Sequence, residues 1–320
     1  MADIKVRTEN DIYTAVSGKT RVCALIGDPV EHTLSPLIHN SIAAMMGIDM
    51  IYVPMHVLRG CVDSAVRGAY DLDVLGLNVT VPHKIAVMDS LIYTEKKAHE
   101  IGAVNTLVRD DEEKGYIGYN TDYLGLKRAL ADDDVTLEGK NAVILGAGGA
   151  ARAAAFLCAF EHAASVHILN RSVDKAEALC SDVNGYVSLT GDTSGHPDAG
   201  ELCKPDSLAY ATSIPYDDLV VIQASSVGLH PNIEDVIIDD EDFYGHIAYG
   251  FDLIYNPDET RFMKMVTSHG GRASNGLKML LYQAVCAFEL WNRVTVPKDV
   301  TDRVLELLRS ASSAKTEDEG

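Results

Sequence analysis

Residues 141–151 constrain the fold more than any other stretch of this chain. A short apolar run, Asn141-Ala142-Val143-Ile144-Leu145, leads straight into Gly146-Ala147-Gly148-Gly149-Ala150-Ala151. An alanine-rich segment follows, and then a second apolar run, Val166-His167-Ile168-Leu169. A strand that enters Gly-x-Gly-x-x-Ala and continues as a helix brings its backbone close to a pyrophosphate. Gly146 allows the tight turn, Gly148 the close approach, and Ala151 the packing of helix on strand. The helix start then offers free N–H groups and a positive dipole end to an anion. Gly146, Ala147, Gly148, Gly149 and Ala150 are therefore expected cofactor contacts.

The second apolar run ends on Asn170-Arg171-Ser172, with Lys175 one helical turn further on. A site for NAD usually carries Asp or Glu there, roughly 20 residues past the glycines, to hold the ribose hydroxyls. Two cations and no carboxylate favour a 2′-phosphate instead. Asn170, Arg171, Ser172 and Lys175 thus point to NADP, with NAD as the alternative carrier.

At 320 residues the chain suits two domains. It carries 27 basic and 47 acidic side chains, a formal charge of −20, which argues against nucleic acid or an anionic membrane as partner. The acidic runs Asp110–Glu113 and Asp132–Asp134 are expected to be solvated loops. No apolar run approaches the roughly 20 residues of a membrane span, and Met1–Lys5 lacks the apolar core of a signal peptide. Six dispersed cysteines without a Cys-x-x-Cys pair suggest free, mostly buried thiols and no metal site. These features imply the cytoplasm. The sequence is compatible with a homodimer but does not specify one.

Hydrophobic patterning divides the chain into a polar extension (1–20), a first domain (21–122), a dinucleotide-binding domain (123–275), C-terminal helices (276–309) and a disordered tail (310–320). Strands are expected at 22–26, 50–57, 74–81, 104–108, 115–119, 220–224 and 246–253, the fourth and fifth forming a hairpin. Ser35 with Pro36 looks like an N-cap followed by the first helical position. Pro82-His83-Lys84 is expected to open a helix, and Asp122 to cap one over 123–131. Residues 190–215, rich in Gly, Ser, Asp and Pro, suggest a loop with one short helix. Alternating β and α suggests an α/β fold with parallel-type sheets in both halves. The strongly apolar helix 276–292 is expected to return to the first domain.

Six further motifs are required by no fold: Glu31-His32-Thr33-Leu34-Ser35-Pro36, Asn78-Val79-Thr80-Val81-Pro82-His83-Lys84, Gly102-Ala103-Val104-Asn105-Thr106, Asn120-Thr121-Asp122, Asp252-Leu253-Ile254-Tyr255-Asn256-Pro257 and Asn275-Gly276 through Gln283. In this order and spacing, over residues 21–309, the chain resembles the shikimate dehydrogenase family. The resemblance implies an N-terminal α/β substrate domain and a Rossmann-type NADP domain. It implies reversible NADPH-dependent reduction of 3-dehydroshikimate to shikimate, a step of aromatic amino acid biosynthesis. Lys84 and Asp122 would be the catalytic pair. Thr33, Ser35, Asn78, Thr80, Asn105, Tyr255 and Gln283 would bind substrate, while Leu253 and Gly276 would line the nicotinamide end of the cofactor site. His32, His39 and His83 lack metal-ligand spacing and receive no role.

The chemistry agrees with that assignment. Oxidising a secondary alcohol needs a proton acceptor at the hydroxyl while the nicotinamide takes the hydride. Lys84 is expected to transfer the proton, and Asp122 to orient both Lys84 and the hydroxyl. The chain departs from the family pattern at Thr33 (usually serine), at Ser172 and Lys175 (usually threonine and arginine) and at Gln223 (usually asparagine). Lysine is a point charge without arginine's planar fork, which loosens the grip on a 2′-phosphate. The alternatives are a quinate/shikimate dehydrogenase using NAD, and a non-catalytic sensor that would not need Lys84 and Asp122.

Overall fold

The computed structural model describes residues 16–191 and 201–318, with the side chains of 313–318 left aside. Most of the N-terminal extension, together with part of the 190–215 segment, lies outside the described residues. The chain divides into two compact units: residues up to Thr121 with Gln283–Leu308, and Asp122–Tyr282 with the last twelve residues.

The first unit holds six strands: β1 (Arg21–Gly27), β2 (Met50–His56), β3 (Gly76–Val79), β4 (Tyr93–Thr94), β5 (Thr106–Asp110) and β6 (Gly115–Tyr119). They form one sheet in the order β2-β1-β3-β5-β6-β4. Strand β1 pairs in parallel with β2 and β3 on its two sides, as its run of buried residues from Cys23 to Gly27 requires. The sheet is mixed and not parallel as expected: β5 runs antiparallel to both β3 and β6. The reason is the hairpin itself, since a short acidic turn returns the chain antiparallel where a parallel return would need a crossover.

Two local expectations are corrected here. Ser35 is the first residue of the helix Ser35–Met46, with Leu34 at the N-cap. Thr33 supplies the cap-like bond instead, its Oγ1 accepting from the Ser35 N–H at 3.2 Å. Pro82-His83-Lys84 opens no α-helix; the chain turns there and makes only a 3₁₀ segment, Ala86–Ser90. The buried His83 ring meets the Val57 carbonyl at 2.7 Å and holds that turn.

The C-terminal part of the helix Leu277–Asn292 packs into this unit through Trp291 and Phe288. The Trp291 indole N–H donates to the Leu107 carbonyl at 2.9 Å. A Cβ on Gly76 would lie 2.1 Å from that indole nitrogen, so only glycine leaves room for it. His39 fills the neighbouring space, stacked on Tyr52 at 4.1 Å and tilted against Trp291 at 5.1 Å.

The second unit holds β7 (Asn141–Leu145), β8 (Ser165–Leu169), β9 (Cys203–Asp206), β10 (Leu219–Gln223), β11 (Ile247–Asp252) and β12 (Arg272–Ser274). Their order, β12-β11-β10-β7-β8-β9, has every neighbouring pair parallel. Counted from β7, this is the 3-2-1-4-5-6 order of the doubly wound dinucleotide fold. Strands β7, β8 and β10 are buried almost throughout and lack alternation, as central parallel strands do.

Strand β9 was not anticipated, because Cys-Lys-Pro-Asp carries weak strand signals. Its place at the sheet edge is what tolerates Pro205. The acidic run at 132–134 is not merely solvated. Asp133 accepts from the Tyr249 hydroxyl at 2.6 Å and pairs with Lys278. At the C-terminus the backbone stays helical to Asp318, where disorder was expected from Ser310 onward.

His39 gives this fold a pH dependence. Its ring is fully buried, and burial lowers its pKa to about 3, the neighbouring Asn78 side chain opposing this in part. The unfolded chain therefore binds a proton that the folded chain refuses. Stability is full above the unfolded value near 6.5 and is lost as pH falls from there toward 3. From pH 7 to pH 5 this group should remove about 2 kcal/mol. Denaturant unfolding of the native protein and of His39→Leu at both pH values checks this, the variant losing that much less on acidification.

Candidate functional site

In the first unit two of the expected residues, Asn78 and Asn105, belong to one buried polar net. Asn78, on β3, is 5% exposed. Its Oδ1 accepts from the Tyr52 hydroxyl at 2.8 Å, and its Nδ2 donates to the Asn105 carbonyl at 3.2 Å and the Thr106 hydroxyl at 3.1 Å. Asn105 Oδ1 accepts from the Thr121 N–H at 2.6 Å and from the Thr106 and Thr121 hydroxyls, each at 3.1 Å. This ties the end of β3 and the start of β5 to the segment leaving β6, immediately before Asp122. Sequence reasoning did not anticipate the parts played by Tyr52, Thr106 and Thr121. Thr106 and Thr121 lie inside recognised motifs, whereas Tyr52 carries no local signal beyond that of a core aromatic.

Of the other expected residues of this unit, Thr33, Thr80 and Lys84 lie on loops, while Ser35 and Gln283 belong to helices. The Thr33 hydroxyl donates to the Ser35 hydroxyl at 3.1 Å, so these two side chains are in contact. Thr80 follows β3, and its backbone N–H donates to the Ile26 carbonyl at 3.0 Å. A Cβ on Gly27 would lie 2.3 Å from the Thr80 methyl, so Gly27 admits Thr80 against β1. Lys84 is half-buried, and its carbonyl accepts from Val104 N–H at 2.8 Å, which fixes its backbone beside β5. Gln283 is half-buried on the helix Leu277–Asn292.

In the second unit Asp122 is the first residue of the helix Asp122–Asp132 and is 8% exposed. Gly146 has φ +121°, and a Cβ there would lie 3.0 Å from the Ala224 carbonyl oxygen. Here the chain ends of β7 and β10 meet, the point where strand order reverses and ligands bind in such sheets. In front of Gly148 and Gly149 lies open space. No side chain caps the helix Gly149–Phe160, so its first N–H groups remain for an anion. Asn170 donates to the Ser172 carbonyl at 2.8 Å and shapes the corner after β8. Arg171 and Lys175 are exposed there, with no ion pair holding either among the described residues. These residues fit a dinucleotide carrying an additional phosphate.

The two remaining motifs of this unit form one clamp. Asp252, fully buried at the end of β11, accepts from the Thr260 hydroxyl at 2.6 Å and the Ile254 N–H at 2.9 Å. Burial pushes its pKa up to about 6, against those two donors. Gly276 N–H donates to the Ile254 carbonyl at 2.9 Å, and a Cβ on Gly276 would lie 2.2 Å from the Leu253 carbonyl oxygen. Leu253 and Gly276 are thus brought into direct backbone contact. Tyr255 projects from the same turn, half-buried, its phenol held protonated by burial.

Known proteins resemble this chain. Three family descriptions match: the shikimate dehydrogenase substrate binding domain over residues 25–107, shikimate/quinate 5-dehydrogenase over 129–192, and the shikimate 5′-dehydrogenase C-terminal domain over 276–306. The shikimate dehydrogenase (NADP(+)) of Desulforamulus reducens is 40% identical over 294 residues, covering 92% of this chain and 97% of its own. The chain belongs to the shikimate dehydrogenase family. Among solved structures, a shikimate dehydrogenase in complex with NADP+ superposes with a TM-score of 0.81 at 37% identity, covering 91% of this chain and 96% of the other. The Listeria monocytogenes shikimate 5-dehydrogenase, in complex with shikimate and NAD, gives 0.80 at 27% identity, covering 92% and 98%.

Within this family fold, a close backbone approach dictates glycine at position 276. Gly276→Ala should force the 253–254 turn away and cost roughly 1–3 kcal/mol, as overpacking against backbone does. Thermal unfolding reads that loss. Gly148→Ala, where nothing lies within 4 Å, should leave the midpoint nearly unchanged.

Proposed function

We propose that this protein interconverts 3-dehydroshikimate and shikimate with NADP(H) as hydride carrier. The observation that carries the reading is Lys84 within Asn78-Val79-Thr80-Val81-Pro82-His83-Lys84, accompanied by Asn120-Thr121-Asp122, in a chain 40% identical to an NADP-dependent shikimate dehydrogenase. A sensor of the same ligands has no use for a proton-transfer lysine.

When bound, the nicotinamide supplies the hydride chemistry. The protein's own residues manage the proton and the alignment. In the reductive direction the Lys84 ammonium gives its proton to the oxygen that becomes the new hydroxyl. In the oxidative direction the Lys84 amine receives it. Asp122 orients the reacting oxygen. Thr33 and Ser35 bind the substrate carboxylate by hydroxyl donation, and Asn78, Thr80, Asn105, Tyr255 and Gln283 hold the ring hydroxyls or carboxylate. Fixing the substrate at several points converts a bimolecular encounter into an oriented, effectively unimolecular step.

Gly146 to Ala150 cradle the pyrophosphate, and Leu253 with Gly276 lines the nicotinamide end. Asn170, Arg171, Ser172 and Lys175 take the 2′-phosphate. The paired cations, with Asn170 at the strand end where an NAD site usually carries Asp or Glu, support NADP over NAD.

Three measurements test this reading. Lys84→Ala should lower kcat at least about a thousandfold while leaving NADPH affinity within about threefold; near-normal turnover would remove Lys84 from the mechanism. Arg171→Ala should raise the KM for NADPH roughly ten- to a hundredfold, with little change for NADH. Steady-state rates should favour shikimate with NADP over quinate with NAD. The reverse preference would assign the chain to quinate oxidation.

A further inference from the structure

We infer that Tyr52 is a positioning residue for substrate binding: its buried hydroxyl, bonded to Asn78 Oδ1, holds the Asn78 amide in place for the ligand. The inference rests on the proposed assignment of Asn78 to a substrate ring hydroxyl.

An asparagine amide offers an acceptor at one end and two donors at the other, and its neighbours decide which end points where. At Asn78 the Nδ2 end is consumed, since it donates to the Asn105 carbonyl and the Thr106 hydroxyl. The Oδ1 end accepts one bond, from Tyr52 at 2.8 Å. Beside the neighbouring His39 ring, Asn78 still offers the second lone pair of Oδ1, and the chemistry it fits is a hydroxyl acting as donor. The Asn105 carbonyl can only accept and so forbids the flipped amide, while the Tyr52 phenol, donating to Oδ1, holds the amide in that orientation. The phenol stays protonated because burial drives its pKa well above the ordinary range, the Cys23 thiol adding to this and the nearby Ser35 hydroxyl opposing it.

Tyr52 is itself held at three places. The Asn40 side chain clamps its backbone, Nδ2 donating to the Tyr52 carbonyl at 3.0 Å and Oδ1 accepting from its N–H at 2.8 Å. Its ring stacks on His39 with centroids 4.1 Å apart and planes 19° from parallel. Its hydroxyl ends on Asn78. A core tyrosine needs only one partner for its hydroxyl. This one is pinned along its whole length and delivers its proton to a residue expected to touch substrate, beside Ser35.

Tyr52→Phe keeps the ring and removes only the donor. The expected result is a KM for shikimate raised roughly tenfold, with kcat within about threefold and the KM for NADP unchanged. A merely structural hydroxyl would lower the unfolding midpoint and leave the KM for shikimate where it was, and that outcome overturns the inference. Asn78→Ala serves as the reference. If it raises the KM while Tyr52→Phe does not, Tyr52 has no positioning role and Asn78 keeps its own. If Asn78→Ala leaves the KM unchanged, the assignment of Asn78 fails and the inference with it. The double variant should be no worse than Asn78→Ala alone, whereas additive losses would show that Tyr52 acts by another route. Should Tyr52→Phe fail to fold, a crystal structure of the native enzyme with shikimate decides. A substrate hydroxyl on Asn78 Oδ1 supports the inference, and Nδ2 turned toward substrate overturns it.

Discussion

Within the first unit, the Asn78 amide, the Thr106 and Thr121 hydroxyls and the Asn105 amide share a single buried hydrogen-bond net. Such a net is strong in a low-dielectric interior, and each unmade bond in it costs the full desolvation of a polar group. It therefore specifies geometry more sharply than apolar packing does. The ends of β3 and β5 and the exit from β6 are held in one relation, and the chain is aimed as it reaches Asp122. The antiparallel pairing of β5 with β3 sets Thr106 opposite Asn78 within this net.

The second unit solves a different problem with different means. A dinucleotide site needs backbone to come close to backbone, and glycines at the crossing points permit it. Gly146 passes the Ala224 carbonyl, and Gly276 passes that of Leu253. Around the second crossing, Asp252 collects the Thr260 hydroxyl and the Ile254 N–H, so the turn bearing Leu253 and Tyr255 is rigid. The carboxylate bears a desolvation cost for this, visible in its raised pKa.

Much of this was legible in the chain. The glycine turn after β7, the hairpin across the acidic turn, and the buried strands β1, β7 and β10 all have strong local signals. Where reading failed, the deciding contact was remote. Pro82-His83-Lys84 has the look of a helix start, yet His83 is drawn to the Val57 carbonyl and the chain turns instead. Ser35 looked like a cap, but Thr33 takes that bond. Asp133 looked solvated because Tyr249 and Lys278, its partners, lie more than a hundred residues away. His39 carried no pattern at all, and only its enclosure by Tyr52 and Trp291 makes it a pH-sensitive member of the core.

The sequence by itself determined the chemistry and the class of fold. Motifs such as Asn78–Lys84 and Gly146–Ala151 put particular functional groups at fixed offsets from strand ends, and offsets along a chain are local quantities. The tertiary structure alone decided the direction of β5, the edge position of β9, the Asp252 clamp and the alignment of Tyr52 on Asn78. Each of these depends on which groups, distant in the chain, satisfy one another's hydrogen bonds or fill one another's space. That pairing is set by packing and has no one-dimensional signature.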